Sequence, residues 1–64
     1  MLAKNTIIRL PEVIQKTKLS RSTIYDLEKR SEFPKKIKLS PRTVGFLEAE
    51  VDAWIDKKAA NRIV

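Results

Sequence analysis

Cysteine and histidine are both absent from the 64 residues, and glycine occurs once. Without cysteine there is neither a disulfide framework nor a thiolate metal site, and without histidine the commonest general base and the commonest zinc ligand are gone together. No metal, no cofactor and no catalysis are therefore expected. No apolar run approaches the roughly 18 residues that cross a bilayer, and MLAKNTIIRL lacks the unbroken apolar core of a signal peptide. The expected location is the cytoplasm, with no membrane partner. A chain this short reads as one domain over residues 1–64, fraying at about 1–6 and 61–64, with no room for a large catalytic cleft. Glu48, Glu50 and Asp52 form a carboxylate cluster, but spacing by two does not place them on one helix face and no base accompanies them.

What the chain does have is positive charge, unevenly placed. The net charge is +6; residues 1–42 hold 11 basic and 4 acidic side chains, whereas residues 43–64 hold 3 and 4. That segregation suits a polyanion-binding face laid over a near-neutral support.

Periodicity then divides the chain. Thr6-Ile7-Ile8-Arg9 is a β-branched run that predicts a brief strand. Leu10, Val13, Ile14 and Thr17 fall at the spacing of one helix face, with Pro11 in the first turn and Glu12 complementing the positive end of the dipole, which predicts a helix from Pro11 to Thr17. Lys18-Leu19 must then make a tight turn, Leu19 pointing inward and Lys18 taking the left-handed conformation that glycine usually supplies. Ser20 is a suitable N-cap for a second helix from Arg21 to Lys29, stopped by Phe33-Pro34. Ile24 and Leu27 give that helix only a narrow apolar stripe. The opposite face carries Ser22, Tyr25, Asp26 and Lys29, with Arg21 beside them and Thr23 at the flank.

Residues 35–46 predict a β-hairpin. Ile37 and Leu39 alternate with lysines as in a strand with one buried face, Ser40-Pro41-Arg42 supplies turn chemistry, and Thr43 to Phe46 returns. Leu47, Val51, Trp54 and Ile55 predict a last helix to about Ala60, its first turns negatively charged by Glu48, Glu50 and Asp52. Trp54 is expected to pack against Val13, Ile24, Ile37 and Phe46.

Helix, tight turn, helix, basic hairpin, helix is the order of a winged helix-turn-helix: mainly α with a small hairpin, three helices plus a wing. In that fold the second helix of the turn pair lies in the major groove. Arg21, Ser22, Tyr25 and Lys29 would face bases and phosphates, and Lys35, Lys36, Lys38 and Arg42 would follow the adjacent backbone or minor groove. Asp26 repels phosphate unless it accepts from cytosine or pairs with Arg30 or Lys29. Arg9 is a further phosphate candidate.

The segment RLPEVIQKTKLSRSTIYDLEKRSEFPKKIKLSPRTVGFLEAEVDAWI, residues 9–55, resembles the AlpA family of small prophage-encoded regulators, grouped with excisionases and regulators of the mercury-resistance class. Three blocks carry the likeness in order: LSRSTIYDLEKRSEFP, IKLSPRTVGFLEAEV and DAWI. Lys18 stands where many relatives have glycine. The resemblance implies a double-stranded DNA-binding transcriptional regulator, or an excisionase that helps an integrase remove a prophage. It points to Ser20, Arg21, Ser22, Thr23 and Tyr25 in the groove helix and to Lys38 through Arg42, Ser40 included, in the wing. The competing function is a protein-interaction module that docks an integrase or another regulator, with DNA binding secondary. An RNA-binding role explains the charge but not the helix–wing order, and paired exposed aromatics are lacking. No heptad seam predicts a coiled-coil dimer, so monomers that assemble on DNA are expected.

Overall fold

A computed structural model of the chain describes residues 5–62. In chain order it contains β1 (Ile7–Ile8), α1 (Leu10–Thr17), α2 (Arg21–Lys29), β2 (Ile37–Ser40), β3 (Thr43–Leu47) and α3 (Glu48–Ala60). This is a winged helix-turn-helix, and β1 joins the wing hairpin to make an antiparallel sheet of order β1-β3-β2. Of the ends expected to fray, residues 1–4 and 63–64 lie outside the described residues, while the Thr6 carbonyl accepts the Glu48 N–H at 2.8 Å.

Local chemistry sets the helix ends. Arg9 is extended before α1, and its N–H donates to Glu12 Oε1 at 2.7 Å, so the acid in the first turn satisfies a backbone donor as well as the dipole. Lys18 adopts φ 63°, ψ 20° and its N–H returns to the Ile14 carbonyl at 2.7 Å. The tight turn is thus made without glycine, and the Thr17 hydroxyl braces it by donating to the Val13 carbonyl at 2.8 Å and accepting the Leu19 N–H at 3.2 Å. Ser20 Oγ accepts the Thr23 N–H and caps α2. At the other end of α2, Ser31 is left-handed at φ 63°; its N–H bonds the Glu28 carbonyl at 3.0 Å and the Glu32 N–H bonds the Leu27 carbonyl at 2.8 Å. That pair of bonds is a Schellman motif, which turns the chain back toward the body of the domain.

The core is Ile8, Val13, Ile24, Phe33, Phe46 and Val51, with Leu10, Ile14, Leu19, Leu27, Trp54 and Ile55 packed around it. Trp54 does not take the central place expected of it. It is half-buried at the rim, 4.8 Å edge-to-face from Phe33, and its indole N–H donates to the Glu32 carbonyl at 2.8 Å. The indole N–H needs a partner, and a rim position next to a free loop carbonyl provides one. Phe33 fills the interior instead, also touching Phe46 at a centroid distance of 5.9 Å. The helix does not run on to the expected stop at Phe33-Pro34: it ends at Lys29 in the Schellman turn, before the proline, and that turn aims the Phe33 ring inward.

Two features of the hairpin also differ from expectation. Strand β2 begins at Ile37, leaving Lys35 and Lys36 in the connection from α2. The register runs Ile37↔Gly45, Lys38↔Val44, Ser40↔Thr43, so Leu39 is the extra residue of a bulge and is 46% exposed rather than on a buried face. Neither Pro41 nor Arg42 has positive φ, which excludes a type II turn at the tip. A two-residue tip with both φ values negative does not match the strand twist, and the bulge accommodates the difference.

α3 is tied to α1 by Lys16, whose ammonium lies 2.9 Å from Asp52 and 3.5 Å from Glu48. Two of the carboxylates read as dipole compensation therefore also hold the first helix. The hydrogen bond to Asp52 outweighs desolvation and raises the Lys16 pKa from its ordinary value, with the charges of Asp52 and Glu48 adding to it.

Candidate nucleic-acid interface

α2 buries Ile24 and Glu28, half-buries Leu27, and exposes Arg21, Ser22, Thr23, Tyr25, Asp26 and Lys29. The predicted outward face is therefore assembled as the 100° spacing requires. Tyr25, 39% exposed, is a ridge between two shallow depressions. One is lined by Ser22, Tyr25, Asp26 and Lys29; the other by Tyr25, Glu28, Lys29, Lys35 and Lys36.

The hydroxyls form a local cluster: Ser20 Oγ lies 2.9 Å from Thr23 Oγ1 and 3.4 Å from Ser22 Oγ. Ser20 is thus first a helix cap, and Ser22 is the freer donor. Asp26 pairs with Arg30 at 2.9 Å, one of the two partners expected, which neutralises the acid on this face. Among the described residues Arg21, Lys29, Lys38 and Arg42 make no ion pair. An ammonium or guanidinium without an internal partner keeps all its donors for a ligand.

Lys35 and Lys36 are placed differently from the rest. The Lys35 ammonium donates to the Glu28 carbonyl at 2.8 Å. Lys36 donates twice to the Glu28 carboxylate, through its backbone N–H at 2.8 Å to Oε2 and its ammonium at 3.0 Å to Oε1, and that ammonium stands 5.6 Å over the Tyr25 ring. The wing is anchored to α2 at its base by this cluster, whereas Lys38, Ser40 and Arg42 are exposed on the strand and tip.

Glu28 is the residue that the sequence reading missed. It is only 6% exposed. Its position was available: Ile24, Leu27 and Glu28 stand at i, i+3 and i+4, so the inward stripe of α2 includes an acid. Burial pushes its carboxyl pKa up, but the Lys36 backbone and side-chain hydrogen bonds and the charges of Lys36 and Lys35 outweigh burial and hold it below its ordinary 4.5. A depressed folded-state value means that this contribution to stability is complete above 4.5 and is lost as pH falls through the lower folded value. Urea unfolding below that pH and at neutral pH should show a smaller acid-induced loss of stability in Glu28→Gln than in the wild type; parallel losses would contradict the assignment.

The chain matches the family model described as "Prophage CP4-57 regulatory protein (AlpA)" over residues 6–59, from the residue before β1 almost to the end of α3. The chain belongs to the AlpA family. It is 48% identical over 58 residues to the DNA-binding transcriptional activator AlpA of Escherichia coli (strain K12), covering 81% of this chain and 83% of that protein. It is also 39% identical over 61 residues to the uncharacterized protein ORF88 of Enterobacteria phage P4, covering 95% of this chain and 69% of that protein. The matched span of this AlpA-family chain contains α2, the Glu28 cluster and the whole wing. Among the described residues there is no metal-ligating cluster, and no helix is long and apolar enough to cross a membrane.

Proposed function

We propose that this chain is a prophage-type transcriptional regulator that binds double-stranded DNA with sequence preference. The observation that carries the reading is the one exposed surface on which α2 sets Arg21, Ser22, Tyr25 and Lys29 without internal ion pairs. A helix with such a face fits the major groove, where guanidinium, hydroxyl and ammonium groups meet base edges and phosphates. Thr23 flanks the contact and Ser20 places its first turn. Lys38, Ser40 and Arg42 in the wing follow the neighbouring backbone, and Lys35 and Lys36 add positive charge where wing and helix join. The E. coli relative is named a DNA-binding transcriptional activator, which favours regulation over assisting an integrase.

A salt titration of binding to duplex DNA from the chain's own locus tests this. Neutralising about four phosphates should make log K fall with a slope of about −3.6, at ~0.9 per phosphate. Locus DNA should be preferred over random duplex at every salt concentration. A flat salt response, or equal affinity for both duplexes, would overturn the proposal.

A further inference from the structure

Counting charges, an acid on a DNA-binding helix is a defect, and removing it should tighten binding. The surroundings of Glu28 argue the opposite. Its carboxylate holds both the backbone and the ammonium of Lys36, its own carbonyl holds the ammonium of Lys35, and the Lys36 ammonium is thereby kept over the Tyr25 ring. Lys29 lines the same groove without an internal ion pair among the described residues. Three ammonium groups and one carboxylate leave the groove net positive. Each ammonium has three donors, and the internal bonds leave Lys35 and Lys36 with donors to spare.

We infer that Glu28 is a positioning residue for DNA binding, which converts Lys35 and Lys36, with Lys29 and Tyr25, into a preformed seat for one backbone phosphate at the junction of α2 and the wing. The inference rests on the DNA-binding reading above and deepens it. A lysine already held in place gives up less rotamer freedom when it meets phosphate, and the seat fixes the wing's register relative to the groove helix. The buried carboxylate does not itself meet DNA; it fixes the place of Lys36, while the backbone carbonyl of the same residue fixes that of Lys35.

The sign of one substitution decides it. Glu28→Gln should weaken binding to locus duplex by roughly tenfold and make the salt slope shallower by about 0.9, the loss of one phosphate contact. Glu50→Gln removes an exposed acid from α3 and should bind as well as the wild type or slightly better. A Glu28 that merely stabilised the fold would lower the active fraction and leave the slope unchanged. Binding by Glu28→Gln that equals or exceeds the wild type, as charge counting predicts, or weaker binding with an unaltered slope, would overturn the inference. If Glu28→Gln does not fold, Lys36→Met is compared with Lys38→Met, since each loses one cation and Lys36→Met keeps the backbone bond to Glu28. A greater loss in Lys36→Met supports the seat, and equal losses overturn it. A wild type that binds no duplex would overturn the DNA-binding reading itself, whereas a wild type that binds beside an undiminished Glu28→Gln would overturn only the role of Glu28.

Discussion

Replacing Gly45 by alanine should lower the unfolding free energy by about 2 kcal/mol, and replacing it by valine should leave the domain largely unfolded at ambient temperature. A Cβ at this position would stand 2.5 Å from Ile7 Cγ2, 3.2 Å from the Ile8 carbonyl oxygen and 3.4 Å from Leu39 Cδ1. Ile7 cannot easily give way, because Cγ2 is fixed to a branched Cβ whose rotation is restricted in a strand. The carbonyl cannot move without disturbing the pairing of Ile7 with Leu47 and Ile8 with Phe46, and Ile8 and Phe46 belong to the core. Glycine is thus required here for close approach; its φ is not positive. A domain of this size has about 3–10 kcal/mol of stability in all. A 2 kcal/mol loss should lower Tm by on the order of 10 °C in a circular dichroism melt. An unchanged Tm in Gly45→Ala would show that β1 is not pinned against β3 in the way described.

What could be read from the sequence follows a physical divide. Lys18 in the left-handed turn, Ser20 as the cap of α2, and Asp26 within reach of Arg30 all depend on residues a few positions apart, where backbone geometry fixes the outcome. The helix-and-wing order and the outward face of α2 depend on periodicity, which is equally local. Lys35 and Lys36 read as strand because they precede an alternating pair, yet the Lys36 N–H goes to a carboxylate eight residues earlier and not to a ladder. Leu39 alternates correctly with Ile37, but register belongs to the pair of strands, and the bulge moves it out. Ring size alone suggests Trp54 for the middle of the core, but Phe33 fills it, because the indole N–H needs a carbonyl and finds one at the rim. Glu28 combines both effects: its stripe position is local, and the lysines that make burial tolerable come from the next element.

The second large effect concerns the proposed interface. Arg21→Ala with Tyr25→Ala should reduce affinity for locus duplex on the order of 100-fold, since a good base-edge contact is worth about 1–3 kcal/mol and two side chains are removed. Both residues are exposed, so the fold should survive with little change in Tm. Lys38→Ala with Arg42→Ala should cost less, act on all sequences alike and flatten the salt slope, because these side chains are assigned to phosphate. The two pairs of substitutions thus separate reading of sequence from attraction to the backbone. The seat at Glu28 joins the two surfaces, so weakening the wing should leave α2 on DNA in the same register, whereas weakening α2 should loosen both.

Hydroxyl-radical footprinting of the wild type and both double variants on the same locus fragment tests most directly whether α2 and the wing form one DNA-binding face. The expected wild-type pattern is protection of the sugars along the backbones that border one major groove, extended as a flank on one side across the adjacent minor groove. The flank alone should disappear in the Lys38→Ala, Arg42→Ala variant, and at concentrations that saturate the wild type both protections should fade in the Arg21→Ala, Tyr25→Ala variant. Footprints of unchanged extent and strength in both variants would contradict the shared face.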